Sequence, residues 1–144
     1  MKKLIETSHY NHVVRKLRYP CGDFYLFENF VISEIKEDVV FTWKDHARQV
    51  VEEISAHYEN NGSEVVYISN RVHAYAVVPS DWLKFFKYSY SLKGYAVVAQ
   101  TKNSILESLF MSSKMRNFPR LDDAIAWANE INPIEKKAPE QRSA

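Results

Sequence analysis

Residues 64–82 read EVVYISNRVHAYAVVPSDW, and the succession of residue types in that stretch decides the fold. Glu64 to Ser69 is a short run of apolar, β-branched and aromatic residues, the composition of a buried strand. The run stops at Ser69-Asn70-Arg71 and gives way to a loop carrying His73 and Tyr75. Pro79-Ser80-Asp81 then opens a helix to Tyr88, with the Ser80 hydroxyl placed to cap its first amides. A buried strand that leads through a polar loop into a helix is the front half of a parallel crossover.

The pattern continues on the C-terminal side. Gly94 to Gln100 (GYAVVAQ) is a second buried strand, and Thr101 to Ser112 contains a helix with Ile105, Leu106, Leu109 and Phe110 inward. Lys114 to Phe118 reads as a last short strand. Leu121, Ala124, Ile125, Ala128 and Ile131 form the stripe of a final amphipathic helix, flanked by Trp127 and started by Pro119 and Asp122. Residues 133–144 are charged and proline-containing, the composition of a disordered tail.

On the N-terminal side, Thr42-Trp43-Lys44-Asp45 opens the clearest helix. Thr42 can accept from the third amide and Asp45 can reach back, as in a capping box. Trp43, Ala47, Val50, Val51, Ile54 and Tyr58 make one apolar stripe, and Asn60-Asn61-Gly62 supplies the stop. Phe24–Phe27 and Phe30–Lys36 read as a hairpin across Glu28-Asn29. Neither face of its second strand is wholly polar, so helices should cover both. Val13–Tyr19 reads as an edge strand, joined to the hairpin by the turn Pro20-Cys21-Gly22-Asp23. Residues 1–12 read as a loose lead-in.

The expectation is therefore one α/β domain over residues 13–132. It has a mixed, mostly parallel sheet of about five strands, an N-terminal β-hairpin and about four helices. Sites in such sheets collect at the C-terminal ends of the parallel strands. That brings Ser69, Asn70 and Arg71 to the functional edge, with Thr101 across from them.

Composition narrows the function classes. The 144 residues carry 19 basic and 18 acidic side chains, a net charge of +1; so balanced a surface has no field for a phosphate backbone, and nucleic acid is not an expected partner. The three glycines, Gly22, Gly62 and Gly94, stand alone, so no phosphate-binding loop or dinucleotide fingerprint can be assembled, and no cofactor is expected. Cys21 is the one cysteine, which rules out an internal disulfide and a cysteine zinc site and suits a reducing compartment. No apolar run approaches the roughly 20 residues that span a bilayer. Together these predict a cytoplasmic protein with no transmembrane segment.

Three segments also carry a resemblance. FYLFENFVISEI, YISNRVHAYAVVPSDW and FPRLDDAIAWANEI resemble, in order and content, a family of uncharacterised bacterial proteins with the SpoIIAA-like (STAS) fold. The likeness covers about residues 20–131. It implies a non-enzymatic module that acts through protein–protein contacts in bacterial regulation, with a regulatory protein as partner. In the anti-sigma-factor antagonists of that fold, a serine or threonine at the start of the second helix is phosphorylated, which makes Ser80 the comparable position. This chain departs from their pattern: Ser80 lies between Pro79 and Asp81 with no glycine near it, and Asp81 would oppose an added phosphate. The broad fold also resembles Sec14-type lipid-binding domains, which implies a small apolar or acidic ligand as the alternative.

The candidate binding residues are Ser69, Asn70, Arg71, His73, Tyr75, Trp82, Phe85 and Phe86. Arg71 offers a planar fork for a carboxylate or phosphate; the bland alternative has Asn70 closing a turn and Arg71 paired with a nearby acid. His73, Tyr75 and Asp81 are residue types for acid–base work, but no spacing rule links them and no nucleophile motif accompanies them. Trp82, Phe85, Phe86, Tyr88 and Tyr90 exceed what one short helix can bury, so the surplus can dock a partner or a second copy of the chain. Glu28 and Glu34 can face one another as a carboxylate pair or sit as solvated strand positions. His46 and His57, eleven residues apart on the first helix, are too distant to share a metal ion and read as surface residues.

Overall fold

Strand β1 (Arg15–Tyr19) turns through Pro20-Cys21 into β2 (Gly22–Leu26), and the two pair antiparallel from Arg15–Leu26 to Tyr19–Gly22. Strand β3 (Phe30–Ile35) returns antiparallel along β2, placing Gly22 opposite Ile35 and Asp23 opposite Glu34. The conformational freedom of glycine is used at Gly22, whose φ is +157°. The edge strand and the hairpin expected from the sequence are both present; the edge strand and the second hairpin strand are shorter than read, and the first hairpin strand begins two residues earlier and ends one earlier than read. This is a computed structural model, and it describes residues 2–59, 63–73 and 92–99, residues 115–134, and the backbone of 76–77.

From β3 the sheet grows in parallel. Strand β5 (Val66–Asn70) lies beside β3, β7 (Gly94–Val98) beside β5, and β8 (Met115–Phe118) beside β7. The order β1-β2-β3-β5-β7-β8 makes six strands, against about five expected. Three of its pairings are parallel and two antiparallel, so the sheet is mixed, as read. A two-stranded parallel sheet of β4 (Val40–Phe41) and β6 (Ala76–Val77) adds to it. Pieces of two residues fall below the window in which alternation can be detected.

Two helices of full length are described. Thr42 caps the first, its Oγ1 accepting from the Asp45 amide at 3.1 Å. The reciprocal bond differs from the expectation: the Thr42 amide donates to His46 Nδ1 at 2.9 Å, not to Asp45. Residues Trp43–Ala47 form a wide π-type turn before α1 (Arg48–Tyr58). The left-handed residue that ends α1 is Glu59, at φ +57°; the expected stop at residues 60–62 lies outside the described residues. Helix α2 (Leu121–Ile131) begins at Arg120 without a side-chain cap, and Asp122 and Asp123 in its first turn complement the helix dipole. The other two expected helices, over 81–88 and 101–112, also lie outside the described residues.

The helices take opposite faces of the sheet. Val50 and Ile54 of α1 pack on Leu17, Phe24, Leu26, Val31 and Ile35. Leu121, Ala124, Ile125 and Ala128 of α2 pack on Ile32, Val66, Ile68, Ala96 and Val98. Every residue of β3 is consequently buried, which is why its sequence lacks a polar face. At Gly94 the second helix comes close: a Cβ there would lie 2.8 Å from Trp127 Cη2 and from Ile131 Cδ1.

A side-chain amide clamp secures the C-terminus of α2 at the ends where the parallel strands begin. Asn132 Nδ2 donates to the carbonyls of Asn29 and Glu64, both at 2.7 Å, and its Oδ1 accepts from Lys93 Nζ at 3.2 Å. Asn29 Nδ2 returns a bond to the Asn132 carbonyl at 2.6 Å. One residue thus ties the helix to the segments leading into β3, β5 and β7. Tyr58 adds a second tie, its hydroxyl donating toward the carbonyls of Phe27 and Phe30; burial pushes its ionisation above the ordinary tyrosine value.

Candidate functional site at the C-terminal strand edge

Successive residues of a strand point to opposite faces, and this divides Ser69-Asn70-Arg71 between the two sides of the sheet. Asn70 follows Val66 and Ile68 onto the α2 face. It is 1% exposed, and its Nδ2 donates to Glu34 Oε2 at 2.8 Å and to the Lys2 carbonyl at 3.3 Å. The same Glu34 oxygen accepts from the Leu4 amide at 2.7 Å. Asn70 Oδ1 is buried and has no hydrogen-bond partner among the described residues. Asn70 therefore does not close a turn with its side chain; it joins strand β5 to β3 and to the segment ahead of β1.

Glu34 corrects a second expectation. It stands opposite Asp23 near the end of β3, whereas Glu28 is exposed in the turn that precedes the strand. Strand geometry holds the two carboxylates at opposite ends, so they form no pair, and Glu34 is 8% exposed, not a solvated position. Its charge is felt by Tyr25, whose ionisation is pushed up first by burial and then by Glu34.

Ser69 and Arg71 belong to the other face. Arg71 takes the strand ladder one step further, its amide donating to the Val98 carbonyl at 2.9 Å. Its Nε donates to Ser69 Oγ at 3.2 Å and its Nη2 to the Tyr95 hydroxyl at 3.2 Å. Tyr95 is stacked on Tyr67, with ring centroids 5.8 Å apart and planes inclined by 17°. The guanidinium is thereby oriented at the strand edge while staying half-buried. Tyr95 was not singled out from the sequence; the clue is its register position directly beside Tyr67 in β5.

His73 is half-buried in the loop after β5. Tyr75, Ser80, Trp82, Phe85, Phe86 and Thr101 lie outside the described residues. Among the described residues no cluster of three or more metal-ligating side chains occurs, and no helix is long and apolar enough to cross a membrane. Neither helix histidine is a plain surface residue. His46 stacks on Phe41 at 5.4 Å, and His57 meets Tyr58 edge-on at 4.8 Å.

The lead-in read as loose, residues 1–12, forms over its described residues 2–12 two short helical turns, Leu4–Glu6 and Ser8–His12, on the α2 face. Leu4 is fully buried, and Tyr10 packs edge-on against Tyr25 at 5.9 Å. His9 Nε2 meets Asp122 Oδ1 at 2.7 Å, joining the segment to the start of α2. His9, and after it Arg120, hold the Asp122 carboxyl below the usual carboxylate range. A depressed carboxyl stabilises the fold above its unfolded value of about 4 and loses that contribution as pH falls through its folded value. Between pH 7 and pH 3, the melting temperature of Asp122→Asn should therefore fall less than that of the wild type. Parallel melting curves check this, and equal slopes would remove the contact from the acid response.

Compared with known proteins, the chain matches no family model, no curated protein and no solved structure.

Proposed function

We propose that the protein is a non-enzymatic module of the SpoIIAA-like (STAS) kind, acting through protein contacts in bacterial regulation. Its contact surface is the C-terminal strand edge and the chain that follows it, from Ser69 to Phe86. The observation that supports this reading is the guanidinium of Arg71, oriented by Ser69 Oγ and the Tyr95 hydroxyl at the edge where α/β sheets present their sites. An oriented, half-buried arginine is a common interface anchor, because little side-chain freedom remains to be lost on association.

Native mass spectrometry of the protein purified from its own host tests the proposal, with Arg71→Lys and Arg71→Ala beside the wild type. A co-purifying protein retained by the wild type and lost from both variants is expected, because lysine cannot reproduce the planar fork. The stacked pair Tyr67–Tyr95 beneath Arg71 favours one alternative, a small apolar or acidic ligand held against the tyrosines. A bound small molecule on the wild type, with no protein partner, would overturn the module reading in favour of that ligand.

A further inference from the structure

Glu34 and Asn70 imitate the edge of a β-strand with side chains. Around Lys3, which is extended (φ −74°, ψ 151°), the carbonyl of the preceding residue accepts from Asn70 Nδ2 at 3.3 Å. The amide of the following residue donates to Glu34 Oε2 at 2.7 Å. A neighbouring strand would offer the same pair of backbone bonds to an extended residue. Here a carboxylate replaces the strand carbonyl and a carboxamide its N–H, and the two are locked together at 2.8 Å. The bonds read main chain only. Lys3 itself is exposed, and selectivity rests on Leu4, whose side chain is fully enclosed.

The way this clamp is covered sets it apart from an ordinary core contact. Glu34 is 8% exposed, and the hydrogen bonds described for it come from one amide and one carboxamide. Asn70 Oδ1 is sealed in without a partner among the described residues. Both groups are solvated when residues 2–12 lift away, so polar desolvation works against closure of the segment while the burial of Leu4 works for it. Among the described residues, the polar contact between the segment and α2 is the exposed His9–Asp122 pair, and exposed pairs hold weakly; Leu4 itself packs into the cluster that holds Leu121, Ala124, Ile125 and Ala128. Opening leaves the strand ladder of the sheet intact.

We infer that Glu34, Asn70 and the Leu4 socket form a peptide-binding slot, filled in cis by residues 2–12, whose occupant in trans is a segment of a partner protein with one extended residue followed by an aliphatic residue at the Leu4 position, as in the cis segment. The slot lies on the face opposite Arg71 and does not depend on the function proposed for that residue. Recognition borrows the strand-addition principle at a single residue, with main-chain bonds giving affinity and one pocket giving selectivity. The cis segment competes with the partner, so apparent affinity scales with the fraction of molecules in which the slot is open.

The test uses the full-length chain and a fluorescent peptide with the sequence of residues 2–12. Leu4→Ala weakens the cis segment and should bind the peptide roughly 10–100-fold more tightly than the wild type by anisotropy. Adding Asn70→Ala to Leu4→Ala, or using a peptide carrying Leu4→Asp, should abolish binding. Equal affinity for wild type and Leu4→Ala, or undiminished binding after Asn70→Ala, would overturn the proposal. So would a concentration-dependent dimer of Leu4→Ala that the peptide fails to dissociate, because the occupant would then be a second copy. Hydrogen exchange on the wild type covers the case in which Leu4→Ala does not fold. The Leu4 and Tyr10 amides should exchange at least about 100-fold faster than that of Ile68, through local opening. Exchange of all three only with global unfolding would overturn the slot.

Discussion

Gly22→Ala is expected to destabilise the fold by about 3 kcal/mol, the upper range for overpacking with backbone strain. Two causes act at once. The φ of +157° lies where side-chain-bearing residues are rarely found. A Cβ would also stand 2.4 Å from the Glu34 carbonyl oxygen and 2.8 Å from Ile35 Cα. These are backbone atoms of β3, and they cannot withdraw without opening the β2–β3 ladder. Gly94→Ala is the matched comparison, since the three atoms nearest a Cβ there are side-chain atoms of Trp127 and Ile131; it should cost about half as much, with the helix shifting slightly. Urea unfolding of both variants measures the difference. A Gly22→Ala midpoint indistinguishable from wild type would show that the hairpin tolerates a side chain where the structure leaves no room.

Asn132→Ala is expected to cost about 3 kcal/mol as well, for a reason of a different kind. The substitution removes two donated bonds and one accepted bond, and it strands the carbonyl of buried Asn29. For a domain of this size that corresponds to a melting temperature lower by roughly 10 °C. Asn132→Asp separates hydrogen bonding from shape: a carboxylate fills the same space but cannot donate to the carbonyls of Asn29 and Glu64. It should be at least as damaging as alanine. Asn117, exposed on β8, serves as control, and its alanine variant should stay within about 0.5 kcal/mol of wild type. Thermal melts at pH 7 decide the matter. An Asn132→Asp protein as stable as wild type would mean that packing, and not donation, makes the clamp.

Local pattern accounts for the elements that were read well. The α1 stripe, with Ala47, Val50 and Ile54 buried, and the α2 stripe, with Leu121, Ala124, Ile125 and Ala128 buried, repeat at helical spacing. Aromatic and β-branched runs marked β3, β5 and β7. Thr42 was identifiable as a cap because three residues of sequence contain the whole interaction. The same locality explains the failures. Glu59 ends α1 in a left-handed conformation that nothing in its residue type announces. Glu34 is one carboxylate in an apolar strand, and nothing in FVISEI says that Asn70 and the Leu4 amide will meet it.

By itself, then, the sequence determined that antiparallel strands begin a mixed sheet, that parallel strands follow with α1 between the first two of them and α2 after the last, and that Ser69-Asn70-Arg71 ends one of those strands. These follow from periodicity and composition, which act over a few residues. Only the tertiary structure decided that those three consecutive residues work on different faces. It also decided that Arg71 is oriented by Tyr95, 24 residues away, and Asn70 by Glu34, 36 residues away. It alone showed residues 2–12 closing over the strand edge. The reason is physical. Hydrogen bonds between distant segments are formed only after the sheet has set the register of its strands, and that register is a property of the packed whole.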